Sequence, residues 1–253
     1  MFKTYEFKDF SFEIFNDPAN KISKTSQDEL TWECTQLEKD TSGHTRLHLA
    51  DTRQQLFDTS TLILGRDKSR HIFSFSTSNV INIDLYHIIY LKYTVVSCAH
   101  QGKGFYSILL ALKILEEAHK IKQSDSQIDE NHILLGSRTQ NPLVYHVCDQ
   151  KLGLFPQSSS HIDDPIQDVM PKFAKCLYDE DLLSNETTHK SGALALYDRH
   201  THPGQTHKNP WVFLGYYHEE QINRLYVESK RKLGGDRLWN PPLAARAASL
   251  CRR

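Results

Sequence analysis

The chain has 253 residues, of which 39% are hydrophobic and 24% charged, and its formal net charge is −1. This composition is that of an ordinary globular protein, and the near-neutral charge gives no global attraction to nucleic acid or an anionic membrane. No apolar stretch reaches the roughly 18 residues of a membrane-spanning helix, and the first residues lack the apolar run of a signal peptide. We therefore expect a cytoplasmic protein without nucleic-acid or membrane partners.

The cysteines and histidines show no pattern typical of a disulfide framework or a metal site. The cysteines are odd in number, widely spaced and without a Cys-x-x-Cys pair, which favours reduced thiols and a cytoplasmic setting. His200, His202 and His207 cluster in one segment, but no cysteine or carboxylate completes a ligand set there. We therefore predict no bound metal. The cysteines are Cys34, Cys98, Cys148, Cys176 and Cys251.

The first third of the chain predicts a strand, a helix and a meander. Apolar residues recur nearly every second position from Phe7 to Ile14, as in an amphipathic strand. Ser26 and Glu29 form a capping-box pattern, which predicts a helix over 26–39. Segments rich in β-branched and aromatic residues then predict antiparallel strands at 61–64, 71–75 and 80–85.

The most continuous strand signal, 87–97, runs directly into a glycine-containing turn and a long helix. The turn, 101–104, reads Gln-Gly-Lys-Gly, and from Phe105 the apolar residues follow helical spacing. The other face of this helix is polar, and we expect an i,i+4 ion pair on it. The polar face comprises Lys113, Glu116, Glu117 and Lys120, and the expected pair is Glu116 with Lys120.

Short strands and helices follow in the C-terminal half. A polar linker at 123–131 leads to a strand at 133–135, and Asn141-Pro142 opens a short helix that ends near Leu152-Gly153. Beyond it, the patterns predict a helix at 166–178, strands at 193–197 and 211–217, and a helix at 219–233. Residues 241–253 are expected to be a disordered tail.

The glycine turn before the long helix has the chemistry of a phosphate site. A helix N-terminus presents unpaired backbone N–H groups and the positive end of the helix dipole, and glycine lets a phosphate approach the backbone. A short glycine turn is also a common structural device before a helix, so these four residues alone leave both interpretations open.

The sequence around the turn resembles two ordered motifs of one superfamily. The run 94–110, TVVSCAHQGKGFYSILL, is similar to motif A of the Gcn5-related N-acetyltransferase (GNAT) superfamily, whose pattern Gln/Arg-x-x-Gly-x-Gly/Ala lies at a strand-to-helix junction. Gln101 and Gly104 occupy its first and fourth positions. About 30 residues after motif A, Asn141-Pro142 and then 151–155, KLGLF, resemble motif B, where an Asn follows the next strand and a helix closes on Leu-Gly-Phe.

The resemblance implies that acyl-CoA binds between two splayed strands. Backbone groups near Thr94 and Val96 would bind the pantetheine arm, amides of 101–107 would bind the pyrophosphate, and Asn141 would contact pantetheine or fix the following turn. An amine would attack acetyl-CoA directly, while a backbone N–H at a strand bulge stabilises the oxyanion. The implied acyl-CoA-binding residues are Thr94, Val95, Val96, Gln101, Gly102, Lys103, Gly104, Phe105, Tyr106, Ser107 and Asn141.

Two positions depart from the motifs. Tyr106 stands where motif A usually has Gly or Ala, so its side chain must point away from the phosphates. Asp149 stands where the family often has a tyrosine that protonates the leaving thiolate. Tyr145, one helical turn earlier, therefore becomes the predicted catalytic acid.

Two further groups of polar residues are left open. Asp84, His87 and His132 have the chemistry of a general base, but each fits a surface or core role equally well, so no base is assigned. The basic residues of the last quarter could meet an acidic acceptor or the CoA 3′-phosphate, or form a solvated helix face. They are Lys230, Arg231, Lys232, Arg237 and Arg246.

The sequence therefore predicts an α/β (α+β type) fold: one GNAT-like domain over 1–240, with a mixed, mainly antiparallel sheet and helices on both faces. Its acyl-CoA-binding core is 94–155, and 157–240 is an extended C-terminal portion. The predicted function is N-acetyl transfer from acetyl-CoA to a primary amine of an unidentified acceptor. The alternatives are a non-catalytic acyl-CoA-binding or interaction module of the same fold and a phosphate-binding protein for another nucleotide.

Overall fold

The computed structural model describes residues 3–7, 9–42, 49–139, 142–154, 164–177, 188–190, 193–195 and 211–233, which form nine strands and seven helices. The strands are β1 (Lys3–Glu6), β2 (Phe10–Asn16), β3 (Thr61–Asp67), β4 (Ile72–Ile83), β5 (Tyr86–Val96), β6 (Ile133–Thr139), β7 (Thr188–Lys190), β8 (Ala193–Ala195) and β9 (Trp211–Tyr216). The helices are α1 (Pro18–Lys21), α2 (Lys24–Ser42), α3 (Leu49–Phe57), α4 (Phe105–Ser124), α5 (Pro142–Gln150), α6 (Asp164–Leu177) and α7 (Glu219–Lys232).

All of these strands belong to one sheet. Its order is β1-β2-β3-β4-β5-β6-β9-β8-β7, and the described neighbours are antiparallel except for β5 and β6, which run parallel. Parallel neighbours need a crossover connection, and α4 supplies it. The predicted fold class, a mixed and mainly antiparallel sheet with helices on both faces, is confirmed.

The two faces of the sheet carry different helices. On one face α4 packs against the strands and α7 packs on α4 within the largest buried cluster. The two helices are antiparallel, because Lys122 near the end of α4 pairs with Glu219 at 2.8 Å, whereas Lys232 at the end of α7 lies beside Gly104. On the other face α2 and α3 cover β3 to β5, and α6 covers β5, β6 and β9.

The predicted strand and helix of the N-terminal region are present with different bounds, and one helix there was not predicted. The strand predicted from Phe7 onward is a hairpin, β1 and β2, across which Phe7 and Phe10 exchange backbone hydrogen bonds. Helix α2 begins at Lys24, because the Ser23 Oγ, rather than that of Ser26, caps it by accepting from the Ser26 N–H at 3.3 Å. Helix α3 was not predicted, since its nine residues carry only a short apolar face.

The segments 71–75 and 80–85 form one strand, β4, instead of two. The polar residues between them are typical of a turn, yet Ser76 and Ser78 are buried in the strand. Ser78 donates to the Glu117 carboxylate at 2.9 Å, and Ser76 shares a hydrogen bond of 2.8 Å with Thr94. Partners on neighbouring elements thus satisfy hydroxyl groups that the sequence suggests are solvated.

The remaining predicted elements are confirmed, with their ends shifted by a few residues. They are β3, β5, β6, β8 and β9 and the helices α4 to α7. The predicted tail, 241–253, lies outside the described residues. Among the described helices, none is both long enough and apolar enough to cross a membrane.

Candidate functional site

The parallel strands β5 and β6 pair only over part of their length. Residues 87–91 of β5 lie beside 133–137 of β6. Beyond Leu91, β5 stays paired with β4 as far as Val96, while β6 stays paired with β9 as far as Thr139. The two strands therefore diverge, and a gap opens between them within the sheet. We call it the β5–β6 gap.

A β-bulge marks the point where the β5–β6 gap opens. The pairing register shifts so that Ser78 of β4 lies opposite two residues of β5, Leu91 and Lys92. The Lys92 ammonium donates to the Asp58 C=O at 2.6 Å, and the Ser60 N–H donates to the Ser78 C=O at 3.0 Å. The loop between α3 and β3 thus holds the bulge in place from one side.

Thr94 and Val96 direct their backbone groups into the β5–β6 gap. The Ser97 N–H donates to the Phe73 C=O at 2.8 Å. In an antiparallel pair, residues that face the partner strand alternate with residues that face away. Val95 therefore bonds β4, whereas the backbone groups of Thr94 and Val96 point toward β6, where β6 has moved away.

The glycine turn joins this gap to the N-terminus of α4. The Gln101 Nε2 donates to the Val96 C=O at 3.0 Å and ties the turn to the strand. Gly102 and Gly104 have φ of 73° and 94°, in the left-handed region that glycine adopts most readily. The Ile108 N–H donates to the Gly104 C=O at 3.2 Å, so the N–H groups before it point out of the helix end. These belong to Phe105, Tyr106 and Ser107.

Aromatic rings anchor the turn. The buried Phe105 ring meets those of Phe10 and Phe73 edge to face, with centroids 4.8 and 4.7 Å apart. His100 stacks on Phe73 at 4.5 Å. Partial burial, and then the nearby Lys103 ammonium, lower the pKa of His100, so its ring is neutral at pH 7.

Two exposed lysines from distant parts of the chain flank the turn. Lys103 lies within it, and Lys232 ends α7 with its Cβ and Cδ 3.6 and 3.7 Å from where a Cβ on Gly104 would be. Positive charge here adds to the field of the helix N-terminus and favours an anion such as phosphate. Lys232 thus brings part of the predicted basic cluster to the turn, while Arg237 and Arg246 lie outside the described residues.

Polar side chains from five elements converge beside the gap, on its α4 face. Lys113 of α4 is 1% exposed and donates to the Thr94 Oγ1 at 3.0 Å, and this oxygen lies 2.8 Å from the Ser76 Oγ. Cys148 of α5 is hydrogen-bonded to Ser137 at the point where β6 leaves β5. With Tyr106, which lies near Cys148, we call these residues the Lys113 cluster.

Burial shifts the pKa of each titratable group in the Lys113 cluster. It lowers the pKa of Lys113 to about 7, with a smaller, opposing effect of Cys148. It raises the pKa of Cys148 to about 11, an effect that the Ser137 hydrogen bond and the Lys113 charge partly offset. Burial also raises the pKa of Tyr106. Near pH 7 the cluster therefore holds a neutral thiol, a neutral phenol and an amine that is about half protonated.

The residues predicted from the two motifs are partly brought together here. Tyr106 packs against the main core beside Cys148, and so away from the turn, as its place in motif A requires. Helix α5 buries Cys148 in the cluster, whereas Asp149 is only partly buried. Asn141 and the side chain of Tyr145 lie outside the described residues, so their predicted roles stay predictions.

The three residues considered as a general base lie at the opposite end of β5 from the gap. Asp84 is in the turn before β5 and pairs with Lys172 at 2.6 Å. The His87 Nδ1 lies 2.8 Å from the Asn82 Oδ1 at the start of the strand, and His132 directly precedes β6. Their positions, away from the gap, favour surface or core roles over that of a general base.

Sequence reasoning missed Lys113 and Cys148 as members of the site. It placed Lys113 on the polar face of the long helix and gave Cys148 no role beyond that of a reduced thiol. Spacing offered a signal for the lysine, because Lys113 follows Leu109 by four residues and Tyr106 by seven. Side chains at these spacings share a helix face, so the lysine continues an inward row.

Away from the gap, the described surface has an open pocket of about 700 Å³ at the start of α7. Its lining includes the carboxylates of Glu130, Glu219 and Glu220. Glu219 is paired with Lys122 at 2.8 Å and Glu220 with Arg224 at 3.2 Å. Within the described ranges, no group of three or more His, Cys, Asp or Glu side chains could hold a metal ion. His200, His202 and His207 lie outside those ranges.

The mixed, mainly antiparallel sheet, the splayed parallel pair and the glycine turn match what the resemblance to GNAT enzymes implies. The fold is GNAT-like. No protein-family model matches the sequence. No curated protein matches it either.

Solved structures with a similar fold include proteins described as acetyltransferases. The NatC complex bound to Gag peptide and CoA is 8% identical, with a TM-score of 0.46 over 82% of this chain and 99% of that one. A putative acetyltransferase from Acinetobacter baylyi is 8% identical, with a TM-score of 0.45 over 84% of this chain and 95% of that one. A GNAT-family acetyltransferase from Listeria monocytogenes is 10% identical, with a TM-score of 0.40 over 85% of this chain and 100% of that one. Likenesses at this level carry no argument about activity.

Proposed function

We propose that this protein transfers an acetyl group from acetyl-CoA to a primary amine by direct attack. The observation that carries the proposal is the β5–β6 gap, which leads from the glycine turn at the start of α4 to the bulge at Leu91 and Lys92. The glycine turn, at one end of the gap, suits a pyrophosphate, and the bulge, at the other end, suits a carbonyl oxygen that gains negative charge. Acetyl-CoA has both groups, because a long arm joins its thioester carbonyl to a pyrophosphate.

The turn has the features that a pyrophosphate needs. The N–H groups of Phe105, Tyr106 and Ser107 point out of the helix end, and two glycines leave the backbone open to close approach. Lys103 and Lys232 add positive charge beside them. Because most of these contacts come from the backbone, Tyr106 in motif A does not remove them.

The strand beyond the bulge has the features that the pantetheine arm needs. Thr94 and Val96 present backbone groups at alternate positions toward the gap, as an edge strand does for an added strand. An extended amide-containing arm would bond these groups as a missing strand would. From Lys92 to Val96 the strand spans about 13 Å at its usual rise per residue, so it can accompany an extended arm.

In the proposed reaction, the neutral amine attacks the thioester carbonyl, and negative charge develops on the carbonyl oxygen. A backbone N–H at the bulge would stabilise that charge, because it is fixed in place before the reaction begins. Binding of the amine and the thioester next to each other would supply the rest of the rate acceleration. This transfer needs no covalent enzyme intermediate.

Two measurements test the proposal. Calorimetry with CoA, acetyl-CoA and ATP should show binding of both CoA compounds and none of ATP. Loss of thioester absorbance should then show turnover of acetyl-CoA with at least one compound from a panel of small amines, polyamines and peptides with free amino groups. Binding of CoA without turnover on any amine would favour the non-catalytic module, and absence of CoA binding would overturn the proposal.

A further inference from the structure

Lys113 is a buried cation in an environment that does not neutralise it. Its side chain is 1% exposed, and its ammonium donates to the neutral Thr94 Oγ1 at 3.0 Å. The partners that the structure describes for it are this hydroxyl and the nearby Cys148 thiol, and neither is a carboxylate. A buried charge without a counter-ion destabilises a folded protein, so its retention at this point of the gap requires a reason.

The groups that face Lys113 come from three neighbouring elements. Thr94 of β5 and, behind it, Ser76 of β4 are neutral hydroxyls, and the titratable neighbour is the Cys148 thiol of α5. Tyr106, on the same side of α4, lies near the same thiol. These surroundings disfavour the ammonium form and supply no carboxylate to hold its proton.

We propose that Lys113 is the catalytic acid that protonates the sulfur of the departing CoA. This inference rests on the proposed function, because it requires acyl-CoA in the β5–β6 gap. Thr94 is both the hydrogen-bond partner of Lys113 and one of the two residues whose backbone faces the gap. An arm that follows β5 from the turn to the bulge therefore passes beside the Lys113 ammonium.

The proton and electron balance is simple. As the amine nitrogen bonds the carbonyl carbon, the carbon–sulfur bond breaks and its electron pair goes to sulfur. The Lys113 Nζ gives a proton to that sulfur, so CoA leaves as a thiol. The acceptor nitrogen loses one proton to water, and Lys113, now a neutral amine, takes one from water before the next turnover.

Lys113 suits this role better than its two titratable neighbours. An acid is most effective when its pKa lies near the working pH, and burial brings the pKa of Lys113 to about 7. The pKa of Cys148 is raised to about 11, and that of Tyr106 is also raised, so both hold their protons more tightly than a general acid should. The proposal therefore assigns to Lys113 the role that the sequence predicted for Tyr145, because motif B here has Asp149 where the family often has its acidic tyrosine.

The test measures kcat against pH for the wild-type protein and for Lys113→Met, with acetyl-CoA and an accepted amine. The wild-type kcat should fall as the pH rises and Lys113 loses its proton, and the matching fall in kcat/KM for acetyl-CoA should begin near the pKa of about 7 of the ligand-free protein. Lys113→Met should lower kcat at pH 7 by about 100-fold and remove that fall, while the Kd for CoA changes little. The matched control is Lys122→Met on the same helix, whose lysine pairs with Glu219 at 2.8 Å, and it should keep the wild-type profile.

A second variant guards against a folding defect in the first. Thr94→Val keeps the backbone groups at the gap but removes the oxygen that holds the Lys113 ammonium, so kcat should fall and its alkaline limb should shift. If the wild type turns over acetyl-CoA and Lys113→Met has the same dependence of kcat on pH, the proposed role of Lys113 is overturned but the proposed function is not. Absence of turnover by the wild type on every amine would overturn the proposed function and this inference together.

Discussion

Helix α4 buries charged side chains in two regions with different surroundings. Glu116 and Glu117, which are 5% and 0% exposed, each meet a cation: Lys3 at 2.8 Å and Lys120 at 2.5 Å, respectively. One turn earlier, Lys113 is 1% exposed and donates to a neutral hydroxyl. The same helix thus pairs its buried carboxylates and leaves its buried amine without a described counter-ion.

This difference separates structural from functional charge. In a buried ion pair, the partner charge and further hydrogen bonds compensate for the loss of solvation. Removal of one partner leaves the other charge buried and uncompensated in a medium of low dielectric constant. A buried amine without a counter-ion weakens the fold, and such perturbed groups concentrate at functional sites. We therefore assign Glu116 and Glu117 to the packing of α4 on the sheet, and Lys113 to the chemistry of the gap.

The largest expected effect is a pH-dependent gain in stability in Lys113→Met. The pKa of Lys113 is about 7 in the folded protein and near 10.5 in the unfolded chain, so between these values the unfolded chain binds more protons. Wild-type stability therefore rises with pH in this window, relative to the variant. The advantage of the variant at pH 7 should shrink by up to about 4 kcal/mol by pH 10.

Urea unfolding of both proteins at pH 6, 7, 8, 9 and 10 measures this difference. Other groups titrate in the same range, but they are common to both proteins and cancel in the comparison. A difference in the free energy of unfolding that stays constant across the series would show that Lys113 is not a buried titrating amine.

The opposite sign is expected for the paired region. Glu117→Ala removes the acceptor of the Ser78 hydroxyl and the partner of Lys120, and it should lower the free energy of unfolding by about 3 kcal/mol. The exposed Glu228 on α7 provides the control, since Glu228→Ala should change stability by less than about 0.5 kcal/mol. Equal effects of the two substitutions in urea unfolding at pH 7 would remove the distinction between the regions.

A smaller effect, on CoA affinity, tests whether the glycine turn before α4 binds the phosphates of CoA. A Cβ on Gly102 meets no atom within 4 Å, and its φ of 73° is one that Asp and Asn tolerate. Gly102→Asp places a carboxylate at the turn and should weaken CoA binding at least about tenfold, whereas the isosteric Gly102→Asn should bind like the wild type. Calorimetry that finds the same Kd for both variants would place the phosphates elsewhere.

The smallest effect is expected from the lysine that α7 brings to the turn. Lys232→Gln should weaken CoA binding by about threefold, because an exposed charge near a phosphate contributes well under 1 kcal/mol. Arg224→Gln, about two turns before Lys232 on α7, should leave the affinity unchanged. A titration in increasing salt should reduce the difference between wild type and Lys232→Gln, since salt screens exposed charges.

The central strand, glycine turn and helix could be predicted from sequence because their signals are local. The strand signal over 87–97 is continuous, and Gly102 and Gly104 interrupt it before helical spacing begins. The expected function followed from the resemblance to two motifs in the right order. The bulge at Leu91 and Lys92 has no sequence signature, because it is a property of the pairing with β4.

The charged residues of α4 show where local reasoning failed. The predicted pair of Glu116 with Lys120 is wrong: Glu116 bonds Lys3, more than 100 residues earlier in the chain, and Lys120 pairs with Glu117. Helical spacing names the residues that could meet on an exposed surface, but this helix is covered by the sheet on one side and by α7 on another. The Lys113 cluster escaped prediction for the same reason, since five elements build it.

The most direct test of the account is a crystal structure of the protein with acetyl-CoA. We expect the pantetheine arm between β5 and β6, bonded to backbone groups of Thr94 and Val96, with its sulfur within about 3.5 Å of the Lys113 Nζ. The pyrophosphate should lie on the amides that begin α4. Acetyl-CoA bound elsewhere, with β6 closed against β5 beyond Leu91, would contradict the account.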